Sequence, residues 1–256
     1  MKLEIKSLSF GYDNSRKILK DISFSCSGSQ IMCILGTNGT GKSTLLKCIT
    51  GEERAEGTVL IDGKSLSSYN SGNLAKKIAY IPQMTVPTFP FKVLDVVLMG
   101  RTVHMGYFSV PNRNDESLAV ENLEFLGIAH LKEKSFTGIS GGERQLVMIA
   151  AAMTQEPELM ILDEPTAHLD FGNAHRFLEL MFRLKDKGVG VLMTTHFPDH
   201  ALFLKCHTIM LKNGYIVNEG MATDIITDET MTQLYGLEVH RKQIGERNIC
   251  IPGVLF

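Results

Sequence analysis

The chain has 256 residues, of which 44% are hydrophobic and 21% charged, and its formal net charge is −2. That is enough chain for one large packed domain or two modest ones. The near-neutral balance excludes a global basic field for nucleic acid or an anionic membrane surface.

Residues 1–6 alternate charged and apolar side chains and lack the apolar core of a signal peptide. Residues 3–10 and 18–26 read as strands from their alternation and β-branched content, joined by the turn-rich stretch 11–15. A short continuous apolar run at 31–35 precedes Gly36, the pattern of a buried strand, and 43–50 reads as a helix ending at Gly51. Further strands are expected at 58–61 and 78–81. Between Met84 and Ile139 the character changes: Pro87, Pro90 and Pro111 punctuate the chain, while 93–99 and 116–126 carry helical periodicity. This region is expected to be a helical insertion in an α/β core. From Gly142 the alternation resumes, with a helix to 153, a strand at 159–162, a helix at 173–187 and a strand at 189–194. Such a succession implies a mostly parallel, buried sheet. The longest apolar stretch, 146–153, is too short to span a bilayer. Five scattered cysteines without a C-x-x-C pair fit reduced cytosolic thiols better than a disulfide framework. The expected organisation is a β region with the first part of the core (1–83), the helical insertion (84–141), the rest of the core (142–236) and a C-terminal extension without an interpretable motif (237–256).

Two elements point to phosphate chemistry. Gly36-Thr37-Asn38-Gly39-Thr40-Gly41-Lys42-Ser43 matches G-x-x-x-x-G-K-[ST] between an expected strand and an expected helix. Glycines there let successive N–H groups face phosphate oxygens, and the helix start adds its positive dipole end. Lys42 would reach the β- and γ-phosphates and Ser43 would ligate Mg²⁺. Asp163 and Glu164 close the apolar run 159–162; the first can hold Mg²⁺ and the second can polarise an attacking water. Taken alone, Asp-Glu-Pro is also a common helix-entry turn. A second glycine pair lies in Ser140-Gly141-Gly142-Glu143-Arg144-Gln145. Ser140 followed three residues later by Glu143 is a capping-box pattern in its own right.

This ordered set resembles the ATP-binding subunit of an ABC transporter, over nearly the whole chain. The resemblance implies a P-loop NTPase core with a mostly parallel sheet, an N-terminal antiparallel β region and a helical insertion. It gives ATP and Mg²⁺ as cofactors, with Gly36, Asn38, Gly39, Gly41, Lys42, Ser43 and Thr44 around the phosphates. Ser140, Gly141 and Gly142 correspond to the signature segment that faces a nucleotide held by a second subunit, with Ile139 and Glu143 departing from the usual Leu and Gln. Gln83 resembles the glutamine that contacts Mg²⁺ or water and couples to the membrane partner. Ala167-His168-Leu169-Asp170 resembles the loop that communicates across the dimer. His196, after Thr194-Thr195, corresponds to the switch histidine at the γ-phosphate, and Tyr12 to the aromatic that stacks on adenine. His196 and His200 also form H-x-x-x-H, but Pro198 between them argues against a metal pair.

The implied assembly is a homodimer with ATP at the interface, carried by integral membrane permease subunits and served indirectly by an extracytoplasmic substrate-binding protein. Its place would be the cytoplasmic face of the membrane, with no nucleic acid involved. Residues 89–101 and His104 are similar to the matching segment of importers for iron–siderophore, haem and cobalamin. Molybdate and tungstate importers share much of it, and a soluble ATPase of iron–sulfur assembly stays open as a different class.

Overall fold

The computed structural model describes residues 1–13, 16–83, 89–106, 109–167 and 169–253. Asn14 and Ser15 of the expected turn, Met84 and Pro87 at the start of the expected insertion, and His168 lie outside the described residues. The chain forms two compact units, residues 1–68 with 177–256, and residues 69–176.

In the first unit, strands Lys2–Phe10 and Leu19–Ser27 pair antiparallel, as their alternation requires: Leu3, Ile5, Leu8 and Phe10 are buried, and so are Leu19, Ile22, Phe24 and Cys26. Strand Glu56–Ile61 covers the other edge of the first strand. The register slips on both sides of Lys6–Ser9, where Ser7 takes a φ of 48°. This is a bulge, and it bends the strand.

Strand Ile31–Leu35 is buried at every position, the mark of a strand covered on both faces. It lies parallel to Gly190–Thr195 on one edge and to His207–Lys212 on the other. Tyr215–Met221 then folds back as a hairpin on His207–Lys212. Helix Lys42–Thr50 follows the phosphate loop and stops at Gly51 in a left-handed conformation, as expected for a glycine C-cap. Near the C-terminus, helix Asp228–Tyr235 is followed by a second hairpin, Val239–Ile244 with Arg247–Pro252. No sequence signal announced that hairpin, because its strands alternate weakly.

The second unit holds a parallel pair, Ile78–Ile81 with Leu159–Leu162. Its helices Val93–Leu98, Arg113–Phe125 and Gly141–Thr154 enclose a core built on Val93, Val97, Leu123, Leu131 and Val147. The first helix ends one residue earlier than its periodicity suggests and tightens into a 3₁₀ turn, Met99–His104. Gly100 is the reason this turn can pass so close to the third helix: a Cβ there would overlap the carbonyl oxygen of Ala151. Arg101 then reaches three segments at once. Its Nε donates to Asp115 Oδ1 at 2.8 Å, and its Nη1 donates to the Thr154 carbonyl at 3.1 Å and to Glu156 Oε2 at 2.6 Å. Asp115 also closes the capping box of its helix through the Asn112 N–H. That N–H, and then Arg101, hold the Asp115 carboxyl below its ordinary range. The side chain of His104 bonds the Gln155 carbonyl at 2.9 Å. Among the described residues, no helix is long and apolar enough to cross a membrane.

The packing around Gly100 gives a direct test. Gly100→Ala should destabilise the protein by about 2 kcal/mol, the usual cost of forcing atoms into a filled interior. The readout is a lower urea midpoint, and an unchanged midpoint would show that the turn can move away.

Candidate nucleotide site

The phosphate loop begins where strand Ile31–Leu35 ends, and its backbone is set by neighbours on both sides. The Gly36 N–H donates to the Thr195 carbonyl at 3.2 Å. A Cβ on Gly36 would lie 2.5 Å from the Leu211 carbonyl oxygen and 2.8 Å from the Thr40 hydroxyl, so only glycine fits there. The loop closes at Gly41, left-handed at a φ of 100°, which serves as the helix N-cap without any side-chain cap. No acidic residue lies in the first helical turn. The helix start therefore presents its amide dipoles to an anion with no carboxylate competing for them.

Lys42 is 4% exposed and folds back along the loop, with Nζ donating to the carbonyls of Gly36 at 2.9 Å and Thr37 at 3.0 Å. Ser43 and Thr44 follow on the first turn and are partly exposed, while Asn38 and Gly39 form the exposed crest. Tyr12 is 61% exposed and stands edge-on to Phe10, their ring centroids 5.0 Å apart, so a ring face is open to a planar partner.

The same unit carries His196. It directly follows strand Gly190–Thr195, whose last residue pairs with Leu35, so histidine and phosphate loop leave adjacent strands at one level. Thr195 shapes the turn: its hydroxyl accepts the Phe197 N–H at 3.0 Å and meets Nδ1 of His200 at 2.9 Å. The His196 and Phe197 rings lie 4.0 Å apart. One contact on this turn was invisible in the sequence. The hydroxyl of Tyr235, 39 residues further on, donates to the main-chain carbonyl of His196 at 2.7 Å.

In the second unit, Asp163 and Glu164 follow strand Leu159–Leu162 and are 3% and 9% exposed. The Asp163 N–H donates to the Ile81 carbonyl at 3.0 Å, continuing the ladder past the strand end. Glu164 takes a left-handed φ of 43°. That conformation is rare for a side chain of this size and marks a position held by its surroundings. Gln83 leaves the neighbouring strand and its Nε2 lies 3.4 Å from Glu164 Oε2. The structure thus brings together two residues that are 81 positions apart in sequence.

Ser140 caps helix Gly141–Thr154 with both halves of the capping box. Its hydroxyl accepts the Glu143 N–H at 3.3 Å, and Glu143 Oε2 accepts the Ser140 N–H at 2.8 Å. The Ser140 N–H, and then its hydroxyl, pull the Glu143 carboxyl below its ordinary range. Glu143 in place of the usual glutamine is therefore spent on the helix end. A Cβ on Gly141 would meet the Arg144 guanidinium at an ordinary 3.9 Å, whereas one on Gly142 would lie 3.3 Å from the Leu169 side chain. Asp170, from the same segment as Leu169, accepts the Asn173 N–H at 2.8 Å at the start of helix Phe171–Asp186.

Residues 19–167 match the ABC transporter family. The chain is 35% identical over 242 residues to a molybdate import ATP-binding protein of Haemophilus influenzae, covering 94% of this chain and 90% of the relative. It is also 35% identical over 238 residues to an iron chelatin transport ATP-binding protein of Helicobacter pylori, across 92% of this chain and 93% of that protein. Among solved structures it is similar to a metal-chelate type ABC transporter in an inward-facing conformation. The TM-score there is 0.87 at 32% identity, covering 99% of this chain and 98% of the other. With the family match spanning more than half of the chain and relatives aligned over nearly all of it, the chain belongs to the ABC transporter family as an ATP-binding, ATP-hydrolysing subunit.

Proposed function

We propose that this subunit hydrolyses Mg-ATP, using the phosphate loop for binding and Glu164 as general base, to drive uptake of a metal chelate or corrinoid through a separate permease. The pairing of Gln83 with a buried, left-handed Glu164 at the ends of adjacent strands carries the catalytic part of the reading. A carboxylate in that setting can be aimed at one water and take its proton as oxygen attacks the γ-phosphorus and the bond to ADP breaks. Lys42 would neutralise the β- and γ-phosphates, leaving its loop carbonyls to do so, while the N–H groups around Gly39–Lys42 wrap the phosphate oxygens. His196 would donate to the γ-phosphate, and Tyr12 would stack on adenine. Mg²⁺, when bound, neutralises phosphate charge. The residues offered to hold it are the Ser43 hydroxyl, the buried Asp163 carboxylate and Gln83, an oxygen set of the kind this hard cation takes.

The capped helix start at Ser140, Gly141 and Gly142 fits a role toward nucleotide on a second copy, giving a homodimer that closes on two ATP molecules. Attachment to the cytoplasmic face of a membrane would then come through the permease, with an extracytoplasmic binding protein choosing the cargo. Support for metal-chelate cargo is the similarity to a metal-chelate type transporter and to an iron chelatin relative. A second reading, molybdate uptake, is favoured by a relative of equal identity.

Three outcomes test this. Glu164→Gln should retain ATP binding, lose turnover by roughly a hundredfold or more, and shift from monomer to dimer with Mg-ATP in size-exclusion chromatography with light scattering. Wild-type turnover in that variant would overturn the assignment. Lys42→Ala should weaken ATP binding about ten- to a hundredfold, the scale of a lost charge-assisted hydrogen bond, as read by displacement of a labelled nucleotide. In vesicles carrying this subunit with its permease and binding protein, ATP-dependent accumulation of a ferric chelate or corrinoid supports the first cargo reading; accumulation of molybdate alone selects the second.

A further inference from the structure

The backbone of the turn that follows strand Gly190–Thr195 is gripped at two consecutive carbonyls. Thr195 accepts from the Gly36 N–H of the phosphate loop at 3.2 Å, and His196 accepts from the Tyr235 hydroxyl at 2.7 Å. The first contact ties the turn to the loop that holds phosphate. The second ties the histidine to an element that otherwise has no part in the site. We propose that Tyr235 is a positioning residue for ATP hydrolysis, fixing the main chain of His196 and with it the direction in which the imidazole points. This rests on the reading of His196 given above.

Tyr235 is itself rigidly mounted. It ends helix Asp228–Tyr235, which is capped by Thr227 at one end and by left-handed Gly236 at the other, with Met231 and Leu234 buried. The C-terminal hairpin braces that helix. The Val239 N–H donates to the Thr232 hydroxyl at 3.1 Å, and the Arg241 N–H donates to Asp228 Oδ1 at 2.7 Å. The Arg241 guanidinium donates to the carbonyls of Thr223 at 2.5 Å and Ile226 at 2.9 Å. The hairpin also makes a second attachment just beyond the turn, where the Cys250 N–H donates to Asp199 Oδ1 at 2.7 Å on helix Pro198–Leu204. The turn from His196 to Asp199 is thus tied at both ends to the last quarter of the unit. A single hydroxyl–carbonyl bond here restrains a peptide plane, and a peptide plane sets where the attached side chain projects.

Tyr235→Phe keeps the ring and removes only the donor. It should lower kcat for Mg-ATP roughly three- to tenfold, the range of one hydrogen bond, while the KM for ATP stays at the wild-type value and the thermal midpoint falls by only about 2–4 °C. The decisive comparison is a double-mutant cycle with His196→Ala, read under excess enzyme so that slow hydrolysis is measured. If Tyr235 acts through His196, Tyr235→Phe produces no further loss once the imidazole is gone. Wild-type kcat in Tyr235→Phe, or a full additional loss on the His196→Ala background, overturns the proposal while leaving the role of His196 intact. Wild-type kcat in His196→Ala itself removes the parent reading, and this inference with it.

Discussion

The site depends on strand Ile31–Leu35 being held in fixed register on both edges by parallel neighbours. Leu35 lies opposite Thr195 on one side and Met210 on the other, so the phosphate loop emerges between two backbones that are already placed. The Gly36 N–H bonds one of them and the Leu211 carbonyl crowds the other side. A parallel sheet buried on both faces leaves little freedom for a one-residue slip, since any slip would break ladder bonds in dry surroundings. The loop inherits that rigidity, and with it the preorganisation that phosphate binding by backbone amides requires.

The second unit solves a similar problem with different means. Its two parallel strands end together, and Gln83 and Glu164 meet because Ile81 and Leu162 share a register position. Around them the helices are locked by polar contacts as well as apolar packing. Arg101 joins the turn after the first helix to Asp115, Thr154 and Glu156. The end of the segment read as similar to chelate importers, residues 89–101 with His104, therefore has visible structural duties: Gly100 permits close approach, Arg101 pairs, and His104 bonds a carbonyl. A likeness in these residues speaks first of a shared way of packing helices. Two relatives of equal identity carry different cargo in their names, so overall likeness along this chain does not single out one cargo.

Much of the fold was legible in the residues. The strands at Ile31–Leu35, Ile78–Ile81 and Leu159–Leu162 fall where apolar runs placed them, and the remaining expected strands and long helices shift by a few residues at their ends. The ends are less legible because caps, not periodicity, set them: Asn112 and Asp115 start one helix three residues earlier than its apolar pattern begins. The hairpin at Val239–Pro252 was silent, since Val239 alone of its strand residues is fully buried and the strands show no strong period. The capping box at Ser140 was readable because both partners lie within one turn of chain.

Local chemistry explains the division. By itself the sequence determined the phosphate loop, the carboxylate pair, the helix cap and the alternation of a parallel α/β core, because each of these is written in residues a few positions apart. Tertiary structure alone decided the Gln83–Glu164 contact, the left-handed backbone of Glu164, the close approach at Gly100 and the bond from Tyr235 to His196. These join residues separated by tens of positions through register and packing. No local pattern encodes such a contact, because its energy exists only when the chain has closed the intervening loop.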